Sequence, residues 1–199
     1  PLLLLISFLL THYASDAAAW QEPAPWRTVR VPEIWRIAPT ASQGKNLGFG
    51  WYRCLVQVPA DWKGKTLQLY TEAIDDAREV YFNGVKVAVL GNLPPKYRSG
   101  LGSDEAYEIK PQLVIPGQTN VIAIRTYFNL GRLNFNAAAP VLVNQQQALR
   151  MGGSWQYRPG DDLQWALWKE RTADSPTFRE LTDASSTLQQ FKKLANDRG

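Results

Sequence analysis

The chain has 199 residues, a net charge of +4 and 45% hydrophobic residues, with a single cysteine, Cys54, and a single histidine, His12. This length suits one domain with a core of its own, and it leaves no room for a (β/α) barrel of about 200 residues or more beside it. The basic residues Lys63, Lys65, Lys96, Arg98, Lys192 and Lys193 are scattered, unlike the clustered basic face of a nucleic-acid-binding protein, so no nucleic-acid partner is expected.

Residues 1–19 are expected to be a signal peptide. Leu2 to Leu10 is almost wholly apolar, and small residues follow at Ala17, Ala18 and Ala19, the order of an h-region and a cleavage site. The run is too short to span a bilayer, which takes about 20 residues. The chain starts at Pro1 without Met, so the sequence is expected to be cut upstream, and Gly199 is a candidate cut point at the other end. The expectation is therefore a secreted or periplasmic protein with no stable membrane span once the signal is removed. His12 falls inside that signal, which leaves the mature chain without histidine. That excludes a Ser-His-Asp triad, a Cys-His pair, a histidine metal site and a haem-attachment motif. One cysteine excludes an internal disulfide.

Strand signals then follow one another. Residues 26–32 (WRTVRVP) alternate and stop at a proline. Residues 48–59 (GFGWYRCLVQVP) put Tyr52, Cys54, Val56 and Val58 on one face, so Cys54 reads as a small buried hydrophobe. Residues 65–74 align Leu67, Leu69 and Ala73. Residues 79–90 form a hairpin, because Asn83-Gly84 between alternating runs supplies two residues that accept positive φ. Residues 107–115 make a weaker strand before a Pro116-Gly117 turn. Residues 119–128 align Ile122, Ile124 and Phe128. Short strands are expected at 140–144 and 155–158, an irregular polar linker at 160–184, and a helix at 186–195. Seven or eight short strands with Gly/Pro turns predict an all-β sandwich. Three segments are expected: the signal at 1–19, the sandwich at 20–150, and a tail at 151–199 holding a partial strand unit, a linker and a short helix.

Four stretches in order carry a resemblance: WRTVRVPEIW at 26–35, GFGWYRCLVQVPADWKGK at 48–65, LQLYTEAIDDAREVYFNGVKV at 67–87 and IPGQTNVIAIR at 115–125. Together they cover about half the chain. They resemble the N-terminal sugar-binding domain of glycoside hydrolase family 2 and β-galactosidase-like proteins. That resemblance implies a jelly-roll sandwich of the galactose-binding-domain type, placed next to a catalytic domain. The family's Gly-rich loop after the hairpin is replaced here by LGNLPPKYRSGLGSDEAYEI at 90–109. A further stretch, GGSWQYRPGDDLQWALW at 152–168, resembles the opening strand of another such unit, and a similar stretch forms a joint in large exported dehydrogenase–cytochrome fusions.

Sugar recognition needs an aromatic face for the C–H side of a pyranose and planar polar groups for its hydroxyls. The resemblance places such groups in two loops. The first offers Asn46 and Phe49; the second offers Tyr127, Asn129, Arg132, Asn134 and Phe135. The 94–98 loop adds Tyr97. The carboxylates Glu72, Asp75, Asp76, Asp104, Glu105, Asp161 and Asp162 show no spacing that marks a glycosidase pair, and they read as charged turn residues. Loop carboxylates could hold a structural calcium; no cofactor and no metal ligand is assigned. Two readings stay open: a non-catalytic carbohydrate-binding accessory domain with an oligo- or polysaccharide partner and a neighbouring catalytic domain, or a structural spacer sandwich that has lost sugar binding. A small enzyme in its own right is the third and is opposed by the missing histidine and barrel.

Overall fold

The computed structural model describes residues 25–32, 34–35, 48–71, 77–100, 106–127, 133–134 and 138–196. Residues 1–24, which include the expected signal peptide, and the 72–76, 101–105 and 128–132 segments, and therefore Ala73 and Phe128, lie outside the described residues.

Among the described residues the fold is an all-β sandwich of mostly antiparallel sheets with one short C-terminal helix. The first sheet contains β1 (Arg27–Val31), β3 (Phe49–Gln57), β5 (Ala77–Phe82), β6 (Val85–Leu90), β8 (Thr119–Tyr127) and β12 (Gly153–Pro159), in the spatial order β1-β12-β3-β8-β5-β6. The second contains β4 (Leu67–Tyr70), β7 (Ala106–Ile109), β10 (Val141–Val143), β11 (Gln147–Arg150) and β14 (Leu181–Asp183), in the order β14-β11-β10-β4-β7. A separate two-stranded piece joins β2 (Ile34–Trp35) to β9 (Leu133–Asn134).

Alternation decides what each sheet buries. Tyr52, Cys54, Val56 and Val58 project from the β3 segment into the space between the sheets. They meet Leu67 and Leu69 of β4, Val80 and Phe82 of β5, Ile122 and Ile124 of β8, and Leu142 and Leu149 of the second sheet. Cys54 is buried, and that burial raises its thiol well above the usual range, which leaves it a packed hydrophobe rather than a nucleophile.

The turns behave as the residue types demand. Asn83 and Gly84 sit at φ 49° and 83°, the two positive values of a tight hairpin turn. The Asn83 carboxamide donates to the Leu113 carbonyl at 2.8 Å and to Asn120 Oδ1 at 2.7 Å, and its oxygen accepts from the Val121 amide at 2.8 Å. Asn120, fully buried, accepts from the Ile115 amide and donates to the Ile115 and Gln118 carbonyls. Two turns far apart in sequence are thus joined by their side chains.

The C-terminal quarter of the chain corrects the expected boundary at 150. Strand β12 lies between β1 and β3, with Tyr157 opposite Tyr52 and Trp155 opposite Val29. It is an interior strand of this sandwich, not the opening of another unit. The stretch expected to be a linker also has a structural place. Asp162 caps a short 3-10 turn, Leu163–Ala166, by accepting from the Gln164 amide at 2.9 Å. The segment crosses the outer face of the first sheet. There Ala166 and Trp165 pack with Trp51, Tyr81 and Ala123, and Trp168 packs with Leu55 and Val121. A Cβ on Gly84 would come within 2.5 Å of the Leu167 side chain, so this hairpin glycine also makes room for the strap.

Arg53 fastens the strap. It is buried on the outer face, with its guanidinium carbon 3.6 Å from the Trp26 ring centroid and 4.4 Å from that of Trp168. It donates to the Leu167 carbonyl and to Glu170, each at 3.3 Å. Arg158 lies over Trp165 at 4.2 Å, and Trp165 meets Trp26 edge-on at 5.6 Å. Beyond the strap, β13 (Thr177–Phe178) pairs in parallel with β3, and the helix α1 (Ala184–Asn196) packs Phe191 and Ala184 against Val141, Val143 and Ala148. Among the described residues no helix is long and apolar enough to cross a membrane.

Candidate functional site

Phe49 is the first residue of β3 and Tyr127 the last of β8, and the register makes them cross-strand partners. Their rings meet edge-on, with centroids 4.9 Å apart and planes 62° apart. Tyr97 reaches the same place from the loop after β6, its ring 5.4 Å from that of Tyr127. All three are half-buried.

The loop that delivers Tyr97 is closed at its base. Asn92 and Arg98 exchange backbone hydrogen bonds at 2.7 and 3.0 Å. Gly91, at φ +64°, lies so close to the returning strand that a Cβ would come within 2.2 Å of the Arg98 carbonyl oxygen. A side chain there would push the two limbs apart and carry Tyr97 off Tyr127.

Arg125 stands two residues before Tyr127 and so on the same face of β8. Its guanidinium lies 4.8 Å from the Phe49 centroid. It forms a two-pronged pair with Asp161, both contacts at 2.6 Å, and donates to Glu79 at 2.9 Å. Glu79 also accepts from Lys86 at 2.8 Å and from the Tyr81 hydroxyl at 2.7 Å. Burial alone would raise the Glu79 carboxyl, but the hydrogen bonds from Lys86, Tyr81 and Arg125 outweigh it and hold the group below the ordinary range. Arg125 is likewise pulled down by burial and lifted more strongly by Asp161 and Glu79, so it stays charged. The result is an aromatic surface of three rings flanked by a network of two cations and two anions. Such a surface can stack a sugar ring and offer hydroxyl groups beside it, and the two carboxylates described there, Glu79 and Asp161, are both engaged with cations.

Of the residues expected to contact sugar, Phe49, Tyr97 and Tyr127 come together here. Asn134 lies in β9 opposite Ile34, and its side chain is outside the described residues, as are Asn46, Asn129, Arg132 and Phe135. Arg125, Glu79 and Tyr81 were not singled out from the sequence; the usable signal was the two-residue spacing that places Arg125 beside Tyr127. Asp162 caps the 3-10 turn, in keeping with the turn role expected of it, whereas Asp161, expected to have the same role, is the ion-pair partner of Arg125. Glu72, Asp75, Asp76, Asp104 and Glu105 lie outside the described residues. Among the described residues no three His, Cys, Asp or Glu side chains gather as they would around a metal ion.

No family model matches the sequence, and no curated protein matches it. Solved structures similar to this chain include the Ruminococcus gnavus β-glucuronidase, at 18% identity and a TM-score of 0.40, over 69% of this chain and 24% of that one. The same enzyme in complex with D-glucuronic acid gives 18% and 0.38 over the same shares, and in complex with D-glucaro-d-lactam 17% and 0.38. The chain spans about a quarter of the length of these proteins.

Proposed function

We propose that this sandwich is a non-catalytic carbohydrate-binding accessory domain of an exported, multidomain protein. One observation carries the reading: Phe49, Tyr97 and Tyr127, far apart in sequence, form a single half-buried aromatic surface at one end of the first sheet. Aromatic faces next to fixed polar groups are what a pyranose requires. The resemblance of four stretches to the sandwich domain of family 2 glycoside hydrolases supports the same reading, and the apolar run at 2–10 supports export. A catalytic neighbour would lie in the parent protein, as a hydrolase or as a dehydrogenase–cytochrome fusion.

Affinity electrophoresis through gels containing β-galactan or other plant polysaccharides tests the reading. Retardation of the wild-type protein, lost in Tyr127→Ala and Asn129→Ala, is the expected result. Equal mobility of all three proteins in every gel contradicts it.

A second reading, a spacer without sugar affinity, draws on the Arg125 network. Arg125 directs its donors at Asp161 and Glu79 rather than toward solvent, and the altered 90–109 loop departs from the family pattern.

A further inference from the structure

The strap that covers the outer face of the first sheet begins at the aromatic surface. Strand β12 ends at Pro159, opposite Gly50 of β3. The next residue, Gly160, turns the chain out of the sheet at φ +121° and donates its amide to the Phe49 carbonyl at 3.0 Å. A Cβ on Gly160 would come to 3.0 Å from the Trp165 ring, so the first turn of the strap closes here with no room for a side chain. Asp161 follows, and its two carboxylate oxygens accept from Arg125 Nε and Nη2, each at 2.6 Å. Phe49 is therefore held by the strap twice. Gly160 bonds its backbone, and the guanidinium gripped by Asp161 lies 4.8 Å from its ring centroid.

Arg125 is more than an ordinary surface ion pair. Its side chain is 15% exposed, that of Asp161 23% and that of Glu79 11%, so water screens these contacts less than it screens a pair in open solvent. The two-pronged contact with Asp161 fixes the plane of the guanidinium as well as its position. Nη1 donates to Glu79 at 2.9 Å, from the neighbouring strand β5. Each of the three guanidinium nitrogens thus has a carboxylate partner, and the group cannot turn away from Phe49 without losing one. A cation held against a ring attracts it and limits where the ring can lie. The Phe49 ring in turn meets Tyr127, and Tyr127 meets Tyr97.

We infer that Arg125 is a positioning residue for the aromatic surface: gripped by Asp161, it sets the Phe49 ring against Tyr127, so the three rings keep their arrangement only while the first turn of the strap is docked. Its consequence for ligand affinity rests on the carbohydrate-binding reading; its mechanics rest on the contacts alone. The strap then serves the site without touching ligand. Such a coupling is reciprocal. Undocking the strap disturbs the rings, and disturbing the rings loosens the strap.

Two variants test this with all three rings in place. Asp161→Asn keeps the shape of the side chain and removes its charge. Arg125→Lys keeps the charge and loses the planar, two-pronged contact. In 13C-labelled protein without ligand, the ring resonances of Phe49 and Tyr127 are expected to move in both variants, while that of Phe82, in the core, stays in place. In the other direction, Tyr127→Ala is expected to speed hydrogen exchange of the Gly160 amide by about tenfold or more, as a local opening made easier. An ion pair that served stability alone would lower the unfolding midpoint and move neither readout. Electrophoresis through β-galactan and plant-polysaccharide gels is expected to show each folded variant binding about tenfold more weakly than the wild type. Ring resonances unmoved in both folded variants, or rings that move with affinity unchanged, would overturn the proposal. Rings that move in a protein that no gel retards would uphold the positioning role and count against the carbohydrate reading alone.

Discussion

Asn83 and Asn120 share a hydrogen bond of 2.7 Å between Nδ2 and Oδ1, and through it the β5–β6 hairpin is bonded to the turn that enters β8. Each also binds backbone groups of the other's segment or of its own, so neither side chain can leave without stranding several buried donors and acceptors. Asn120→Ala is expected to destabilise the protein by about 2–4 kcal/mol. Asn120→Asp, which removes two donated bonds and buries a charge, should cost at least as much. Urea unfolding of the variants measures both, and a loss under about 0.5 kcal/mol, the scale of an ordinary surface change, would contradict the role.

The strap over the outer face depends on Arg53. Its guanidinium touches two tryptophan rings and two acceptors, and burial lowers its pKa to about 10, still charged at neutral pH. Arg53→Ala should cost about 2–3 kcal/mol and open the 163–171 region to trypsin, which would be seen as cleavage at Lys169 or Arg171 under native conditions. Arg53→Lys should restore little, because an ammonium lacks the planar face that lies against the rings. A native-state cleavage pattern unchanged in both variants would show that the strap is held by other contacts.

The Glu79 network makes stability depend on acid. The folded-state pKa of Glu79 is depressed, so its contribution is fully present above the unfolded value of about 4.3 and is lost as pH falls through the folded value. Glu79→Gln should lose about 1–2 kcal/mol at pH 7, the worth of its charge-assisted bonds. The difference from wild type should narrow below about pH 4. Thermal unfolding of the two proteins between pH 3 and 7 checks this, and a gap that stays constant with pH would exclude Glu79 as the titrating group.

Much of the sandwich was legible because alternation and turn chemistry agree. In the β3 segment, Tyr52, Cys54, Val56 and Val58 mark the inner face, and Asn83-Gly84 can only close a tight turn. The strands β11 and β14 escaped because QALR and LTD are too short to show a period; they exist through pairing with β10 and with each other. The strap escaped because Trp165 and Trp168 lie in a short run, LQWALW, bounded on both sides by charged residues, while the sheet they cover is distant in sequence. A sign was nonetheless present: Trp51 and Leu55 alternate with the core residues of β3, so both faces of that strand are apolar, and the outer one needed a cover. Part of the candidate site could be named from residue types, yet Phe49, Tyr97 and Tyr127 meet only through the β3–β8 register and the closed loop at 91–100, neither of which is written locally.

The central claim is that the aromatic surface binds carbohydrate, and a glycan array probed with the wild-type protein and with Tyr97→Ala and Tyr127→Ala tests it most directly. The account predicts selective binding to a defined set of glycans, β-linked galactosides or plant polysaccharides among them. Each variant should lose at least about tenfold in apparent affinity, about 1.4 kcal/mol, while its unfolding midpoint shows it still folded. A blank array with folded wild-type protein, or binding that both variants retain in full, would contradict the claim and leave the spacer reading in its place.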